Sequence, residues 1–456
     1  MSRIYRTDIA RIERFDVVVI GSGCAGFSAA VCAARSGAKT VLLEKHQMIG
    51  GTATSSLVGP FMTSFDGQGE RQIVRGIFDE LVTRLEKRGG AVHPSKTGDN
   101  SPYSSYHKGY DHRHFGVTPF CSALLQIEMI QMLKEAGVKV LINTAVIDVV
   151  KDKDTVTAIV AHDGSDLRLF ETQVAIDCSG DAIAAYKAGA VRPECSNENT
   201  DLQPMSLIFS LYGVEDNTIQ RYIDSHPDEH GALFRCYVQE ACNNGEFPIE
   251  RDLVGLFKCL KSGEWRMNTT RMQNLSPVVA EDLTAAYEIG MKQIFFLLDF
   301  CRQLPGMENM RLKEIASSIG IRESRRIDGV YTLQPDDLMK PVTFYDSIGM
   351  GSFPLDRHPS SGAAGGLATN PKPANCFQIP YRILVPRLVD GLLAAGRCVS
   401  ASRDAQASIR VMPQAFIMGQ AAGTAAGICI KSGIKPREVP YELLKLLLLE
   451  QKAVLE

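Results

Sequence analysis

The sequence predicts an α/β fold built on a parallel sheet, and three features of its 456 residues carry that expectation. Phe15 to Ile20 is a β-branched run that stops at Gly21-Ser22-Gly23-Cys24-Ala25-Gly26 and gives way to small residues from Phe27 to Ala34, the pattern of strand, tight turn and helix. A second strand, Thr40 to Leu43, follows and ends in Glu44. Strand-and-turn signals recur at Gln173 to Asp181 and at Gly391 to Arg397, so one domain is assembled from both ends of the chain.

Each part of the first unit has a physical reason. Gly21 permits the tight turn, Gly23 lets the backbone approach a pyrophosphate, and Gly26 lets the helix pack closely on the strand, so that phosphate meets a helix N-terminus. Glu44 stands where an acidic side chain holds a ribose hydroxyl, which favours an unphosphorylated ribose and suits both NAD and FAD. After Lys45, Gly50-Gly51-Thr52-Ala53-Thr54 forms a second flexible turn able to run along the dinucleotide.

Composition excludes several classes. A net charge of −3 without a Lys/Arg block leaves no basic stripe for nucleic acid. The twelve cysteines show no C-x-x-C pair, so a redox disulfide, a zinc ribbon and an iron–sulfur cluster are not expected, and no metal is assigned. Apolar runs such as Ile294 to Leu298 fall far short of the ~20 residues that span a bilayer. Met1 to Arg14 lacks the apolar stretch of a signal peptide, so a reducing cytoplasmic setting is expected. There is no second G-x-G-x-x-G and no C-x-x-x-x-C pair. A built-in NAD(P)H domain is therefore not expected, and electrons come from or go to the substrate, oxygen, a quinone, a carrier protein or a transiently bound nicotinamide.

The N-terminal fingerprint, Glu44, Gly50-Gly51-Thr52, Ile176-Asp177-Cys178-Ser179-Gly180-Asp181, Ile319 to Gly329, and the block from Gly391 through Gly396-Arg397, Arg410-Val411-Met412-Pro413 and Gly419 to Gly423 resemble the FAD-dependent oxidoreductases of the two-dinucleotide-binding-domain type. The resemblance is weak over roughly residues 195–310, where substrate identity would be written. It implies FAD as cofactor, lined by Gly21, Gly23, Ala25, Gly26, Glu44, Lys45, Gly51 and Thr52, with Ser179, Gly180, Gly396, Arg397, Pro413 and Gly419 completing the cofactor site. Pro413 suits the first turn of a helix containing Gln414 to Ala426, whose N-terminal amides would face the flavin edge that gains negative charge on reduction. The expected organisation is a discontinuous Rossmann-like FAD domain, residues 12–200 and 385–456, with an inserted mixed α+β substrate domain, residues 201–384.

Candidate catalytic groups come from two places. Where relatives often carry Ser-Ala-Thr-His-Glu-Ala, this chain has Ser400-Ala401-Ser402-Arg403-Asp404-Ala405, so a permanent cation, Arg403, replaces an acid/base histidine. The competing role for Arg403 is an ion pair with Asp404 or Glu323 that staples the domain interface. Tyr103 to Phe115 concentrates His107, Tyr110, His112 and His114 in one loop, a source of a base for a carbinol proton; a plain surface loop is the alternative. Arg322, Glu323, Arg325 and Arg326 form a dense charged segment near the domain junction. If helical it would put Arg322 and Arg326 on one face, facing an anion or tying the domains together. Tyr441 to Glu456 reads as a leucine-rich helix docked on the body or in a subunit contact. The function expected is hydride transfer between flavin N5 and a small polar, hydroxylated or carboxylated organic substrate. The alternative is a flavin-bearing electron-transfer subunit of a larger complex; a homo-oligomer or an electron-carrier partner fits either.

Overall fold

Val17 to Ile20 are apolar and β-branched at every position, which suits a strand covered on both faces. The computed structural model describes residues 8–98, 102–103, 116–195, 201–226, 233–360, 362 and 375–456. In it these residues form the central strand β1 (Val17–Ile20) of a five-stranded parallel sheet. Its other strands are β2 (Thr40–Leu43), β3 (Lys139–Leu141), β4 (Val174–Asp177) and β5 (Leu392–Ala394), in the order β5-β4-β1-β2-β3. Side chains alternate between faces along β1. Val17 and Val19 enter a core shared with helices, whereas Val18 and Ile20 enter one beneath a second sheet. That second sheet joins Ala145–Asp152, Thr155–His162 and Leu167–Glu171 as an antiparallel meander, with Arg11–Arg14 added in parallel at its edge.

Two helices cover the first face. Helix α1 (Cys24–Arg35) follows β1, and α2 (Met412–Ser432) returns from the far end of the chain, buried from Met412 to Cys429. They meet backbone to backbone. A Cβ at Gly419 would lie 2.1 Å from the Ala25 carbonyl oxygen, and one at Gly423 would lie 2.2 Å from that of Ala29.

Beyond β4 the chain builds an antiparallel sheet of Leu256–Lys258, Trp265–Met267, Phe209–Tyr212 and Arg311–Ile315, covered by the helix Ala280–Cys301. It has its own core, including Leu207, Phe209, Trp265, Met267, Ile294 and Leu297. Leu333, Leu338, Ile348, Ile379 and Ile383 pack instead in the core of α1 and α2.

Two local expectations differ from the structure. Residues 321–326 form neither helix nor strand, the chain on either side being held by the bridges Ser206↔Gly320 and Val191↔Ile327. The C-terminal helix spans only Tyr441–Glu450 and ends in a turn in which Lys452 has φ of 63°. Leu444 and Leu448 dock it on the body, while Leu446 and Leu449 stay exposed. Among the described residues no helix is long and apolar enough to cross a membrane. Cys24, Cys32 and Cys429 are free thiols whose burial pushes them up to about 12, which removes them from thiolate chemistry at neutral pH.

The α1–α2 contact yields a direct test. Gly423→Ala inserts a methyl against a backbone carbonyl that has nowhere to move. The expected loss is about 1–3 kcal/mol of stability, read as a lower thermal midpoint with flavin content retained; an unchanged midpoint would contradict the contact.

Candidate active site

Because all five strands run parallel, their C-terminal ends and the turns after them gather at one edge of the sheet, where ligands of such sheets bind. The first of these turns is closed by two glycines. Gly21 has φ of 91°, and a Cβ there would lie 2.7 Å from the Cys178 carbonyl oxygen; a Cβ at Gly26 would lie 1.7 Å from the Gly21 oxygen. Gly23 is different. Its Cβ would meet only Gly51 Cα, at 3.9 Å, so its outward face is open. Gly51, in turn, with φ of 55°, would drive a Cβ to 2.8 Å from Gly23 Cα. Thr52 continues this second turn, inside the short helical turn Gly51–Ala53. Two bare backbone stretches thus run side by side at the N-terminus of α1, whose first amides have no partner within the helix.

Glu44 lies buried at the end of β2. It accepts from the Ser22 amide at 2.8 Å, the Ser22 hydroxyl at 2.6 Å and the His46 amide at 2.8 Å. Those three bonds fix the carboxylate against the glycine turn and occupy most of its acceptor capacity. Lys45 reaches Asp181 at 3.8 Å from a half-exposed position. Ala25 sits beneath Gly396, whose Cβ would be 3.1 Å from that of Ala25, and beneath Gly419.

Ser179, Gly180 and Arg397 lie at the same edge but spend their polar atoms on the protein. Ser179 donates its hydroxyl to Asp177 at 2.6 Å. Arg397 donates to the Gly180 oxygen at 2.9 Å, to Asp181 at 2.6 Å and to the Ile321 carbonyl, which latches the end of β4 to the segment before Arg322. Pro413 lies in the first turn of α2, behind the N-cap Val411. The next residue, Gln414, is fully buried, and neither of its side-chain polar atoms has a partner among the described residues.

Around that helix start lies a buried polar junction that the motifs did not announce. Arg410 donates to Asp356 at 3.1 Å, and Asp356 faces His358 Nε2 at 3.4 Å. Burial opposes ionisation of Asp356, yet His358, Arg410 and Arg322 around it hold the carboxyl well below the usual carboxylate range. Burial pushes the His358 imidazole down to about 4, with Arg322 and Arg251 adding to the effect and Asp356 opposing it. His358 Nδ1 has no partner among the described residues. Arg271 donates to the Pro359 carbonyl at 2.7 Å, and Arg322 donates to the Pro204 carbonyl at 2.7 Å and the Ser206 hydroxyl at 2.8 Å. A reader of the sequence had one usable signal, the Asp356-Arg357-His358 triplet; Arg251 and Arg271 stand in no pattern.

The charged residues singled out from the sequence behave otherwise. Arg403 pairs with Glu323 at 3.0 Å and with Asp201 at 2.9 Å, the stapling geometry rather than an uncompensated cation. Arg326 pairs with Glu323 at 2.9 Å, and Arg325 stacks 4.1 Å over the Tyr186 ring. His107, Tyr110, His112 and His114 lie outside the described residues.

Comparison with known proteins decides the family, since the model for FAD dependent oxidoreductases matches residues 16–448. The chain belongs to that family. As an FAD-dependent oxidoreductase it is an enzyme that uses FAD, and the residues present fit the cofactor: the open strip between Gly23 and Gly51 is a cradle that any side chain would fill. The chain is 42% identical over 78 residues to a fumarate reductase (cytochrome) of Shewanella frigidimarina, which is 17% of this chain and 13% of that protein. It is 54% identical over 43 residues to the soluble pyridine nucleotide transhydrogenase of Chromohalobacter salexigens, 9% of each. The curated relatives are thus matched over only a small part of their length. Among solved structures, p-nitrophenol 4-monooxygenase from Pseudomonas putida superposes with a TM-score of 0.50 at 11% identity, covering 97% of this chain and 88% of that one, a likeness of fold.

In this oxidoreductase the buried imidazole gives a pH signature. An unfolded histidine takes its proton near 6.5 and folded His358 near 4, so the stability held by the neutral ring is complete above pH 6.5 and is lost as pH falls toward 4. The thermal midpoint of His358→Gln should therefore fall less steeply than that of the wild type across this window. Parallel curves would rule out a buried neutral His358.

Proposed function

We propose that the enzyme transfers a hydride between FAD and a small polar organic substrate seated at the buried junction beside the start of α2. FAD supplies a centre, N5, that takes up or returns a hydride. The observation that carries the reading is continuity. The glycine cradle leads past Ala25 and Gly396 to the first turn of α2, where buried Gln414, Asp356 and His358 gather with partly buried Arg410.

In this reading Gly21, Gly23, Ala25, Gly26, Gly51 and Thr52 hold the diphosphate, while Glu44 and Lys45 face the adenosine half. Ser179, Gly180 and Arg397 set the position of the β4 turn, and Gly396, Pro413 and Gly419 bring α2 and its amides to the flavin. The inserted unit, residues 201–384, serves as the cap. The separate core over residues 205–316 supports that division, and the packing of residues 333–383 on α1 and α2 favours an earlier return to the cofactor domain. Arg403 positions the segment around Glu323. His358, with one ring nitrogen against Asp356, and the His107 to His114 segment are the groups able to hold a proton that a carbinol gives up or a reduced carbon takes on.

Two experiments test this. Gly23 has an ordinary φ of −64° and room for a side chain, so Gly23→Val should fold normally and lose FAD; a full complement of flavin would contradict the cradle. Anaerobic titration of the flavin-loaded enzyme with hydroxy acids, polyols and amines, then NADH and NADPH, should bleach the flavin band with an organic substrate. Bleaching by nicotinamides alone would make a nicotinamide the electron donor and point to a reductase.

A further inference from the structure

We infer that Arg271, Arg322 and Arg410, with Arg251 beside them, form a partly buried anion site that binds the carboxylate of a small organic acid; this rests on the function proposed above and names its substrate class.

The argument is one of charge compensation. The arginines that link elements around the junction each have a carboxylate: Arg403 has Glu323 and Asp201, Arg326 has Glu323, and Arg397 has Asp181. Arg410 has Asp356. Arg271 and Arg322 have none within 4 Å among the described residues. The bonds of Arg322 go to the Pro204 carbonyl, the Ser206 hydroxyl and Asn268, and that of the Arg271 guanidinium goes to the Pro359 carbonyl, all neutral groups.

Arg271 is 3% exposed, and its Nε has no partner among the described residues. Burial, together with Arg410, Arg251 and Arg271, pushes Arg322 down to about 9 although Asp356 opposes the shift, and burial with Arg251 pushes Arg271 down to about 10, even though Glu250 and Asp252 lie near the latter. Burying an uncompensated guanidinium is costly, and clustering several compounds the cost. An arrangement of that kind is made whole by an anion.

The segments 203–206 and 356–359 hold the cluster together. Gln203 receives the His358 amide at 3.3 Å, Met205 bridges to Met272 next to Arg271, and Pro359 takes the Arg271 bond. The anion site is therefore continuous with the Arg410–Asp356–His358 group at the start of α2. Planar guanidinium forks match the two oxygens of a carboxylate. Phosphate shares that chemistry, but a carboxylate also acidifies the C–H beside it and withdraws electrons from an alkene conjugated with it, so that a proton is exchanged at the adjacent carbon while hydride leaves or reaches the carbon beyond. It thus serves both binding and the reaction.

The test uses flavin-loaded enzyme, with acetate and succinate as probes, succinamide as the neutral analogue and inorganic phosphate as the competing oxyanion, all at constant ionic strength. Succinate or acetate should shift the flavin absorption spectrum saturably and raise the thermal midpoint, while succinamide does neither and phosphate binds at least tenfold more weakly. Arg271→Gln and Arg322→Gln should each weaken carboxylate binding tenfold or more, and Arg271→Lys should restore part of it. Without added anion the midpoint of Arg271→Gln should be no lower than that of the wild type, because like-charge repulsion is relieved; a merely structural arginine would lower it. Flavin content of each variant reports its folding.

No saturable response to either carboxylate in fully flavin-loaded enzyme overturns the inference, as does equal binding of succinamide or phosphate, or unaltered affinity in both Gln variants. Reduction by a neutral polyol alongside any of these results removes the anion site and leaves the hydride-transfer reading intact. Purified protein without flavin would instead remove that reading itself.

Discussion

The closeness with which backbone meets backbone around α1 governs this molecule. At one end Gly26 lets the helix sit on the Gly21 carbonyl; along its length Gly419 and Gly423 of α2 press on Ala25 and Ala29. Contacts of this kind cannot be relaxed by turning a side chain, so they fix the helix to within tenths of an ångström. The glycine turn, the Glu44–Ser22 bonds and the start of α2 inherit that precision. Preorganisation costs little here, because small residues have little side-chain entropy to lose.

Electrostatics at the sheet edge divides into two kinds. Arg397, Arg403 and Arg326 act as structural clasps, each with its charge met by a carboxylate, and hold the segment 321–326 in place. The second kind is the cluster around Arg271 and Arg322, whose bonds go to neutral groups. The same residue type thus serves two purposes a few residues apart, and only the identity of its partners tells them apart. Burial makes the difference matter, since a surface arginine without a partner would be solvated at almost no cost.

How much of this was legible in the sequence follows from the range of the interactions. The strand, turn and helix from Val17 to Arg35, the helix opened by Pro413 and the discontinuous sheet were legible because glycine spacing and β-branched runs act locally. Gly23 and Gly51 were likewise visible as bare backbone. The segment 322–326 was misread as a possible helix because its conformation is set by bridges to Ser206 and Val191, more than a hundred residues away. Arg271, Asp356 and His358 were missed for the same reason: they come from separate stretches and acquire meaning only beside Arg322 and Arg410. Arg403 was noticed for its motif position, yet its two carboxylate partners, Asp201 and Glu323, lie far off in sequence.

The order of strands also has a consequence for synthesis. Strand β4 pairs with β1 on one side and with β5 on the other, and β5 is translated more than two hundred residues after β4. At about 5–20 residues per second, that interval lasts on the order of ten to forty seconds. Throughout it one edge of the growing sheet stays open, and α1 lacks the helix that covers it, since α2 emerges later still. An unpaired parallel edge is a template for mispairing. The antiparallel unit, with its own core, is complete before β5 arrives. It can fold on the ribosome while the parallel sheet waits for its last strand.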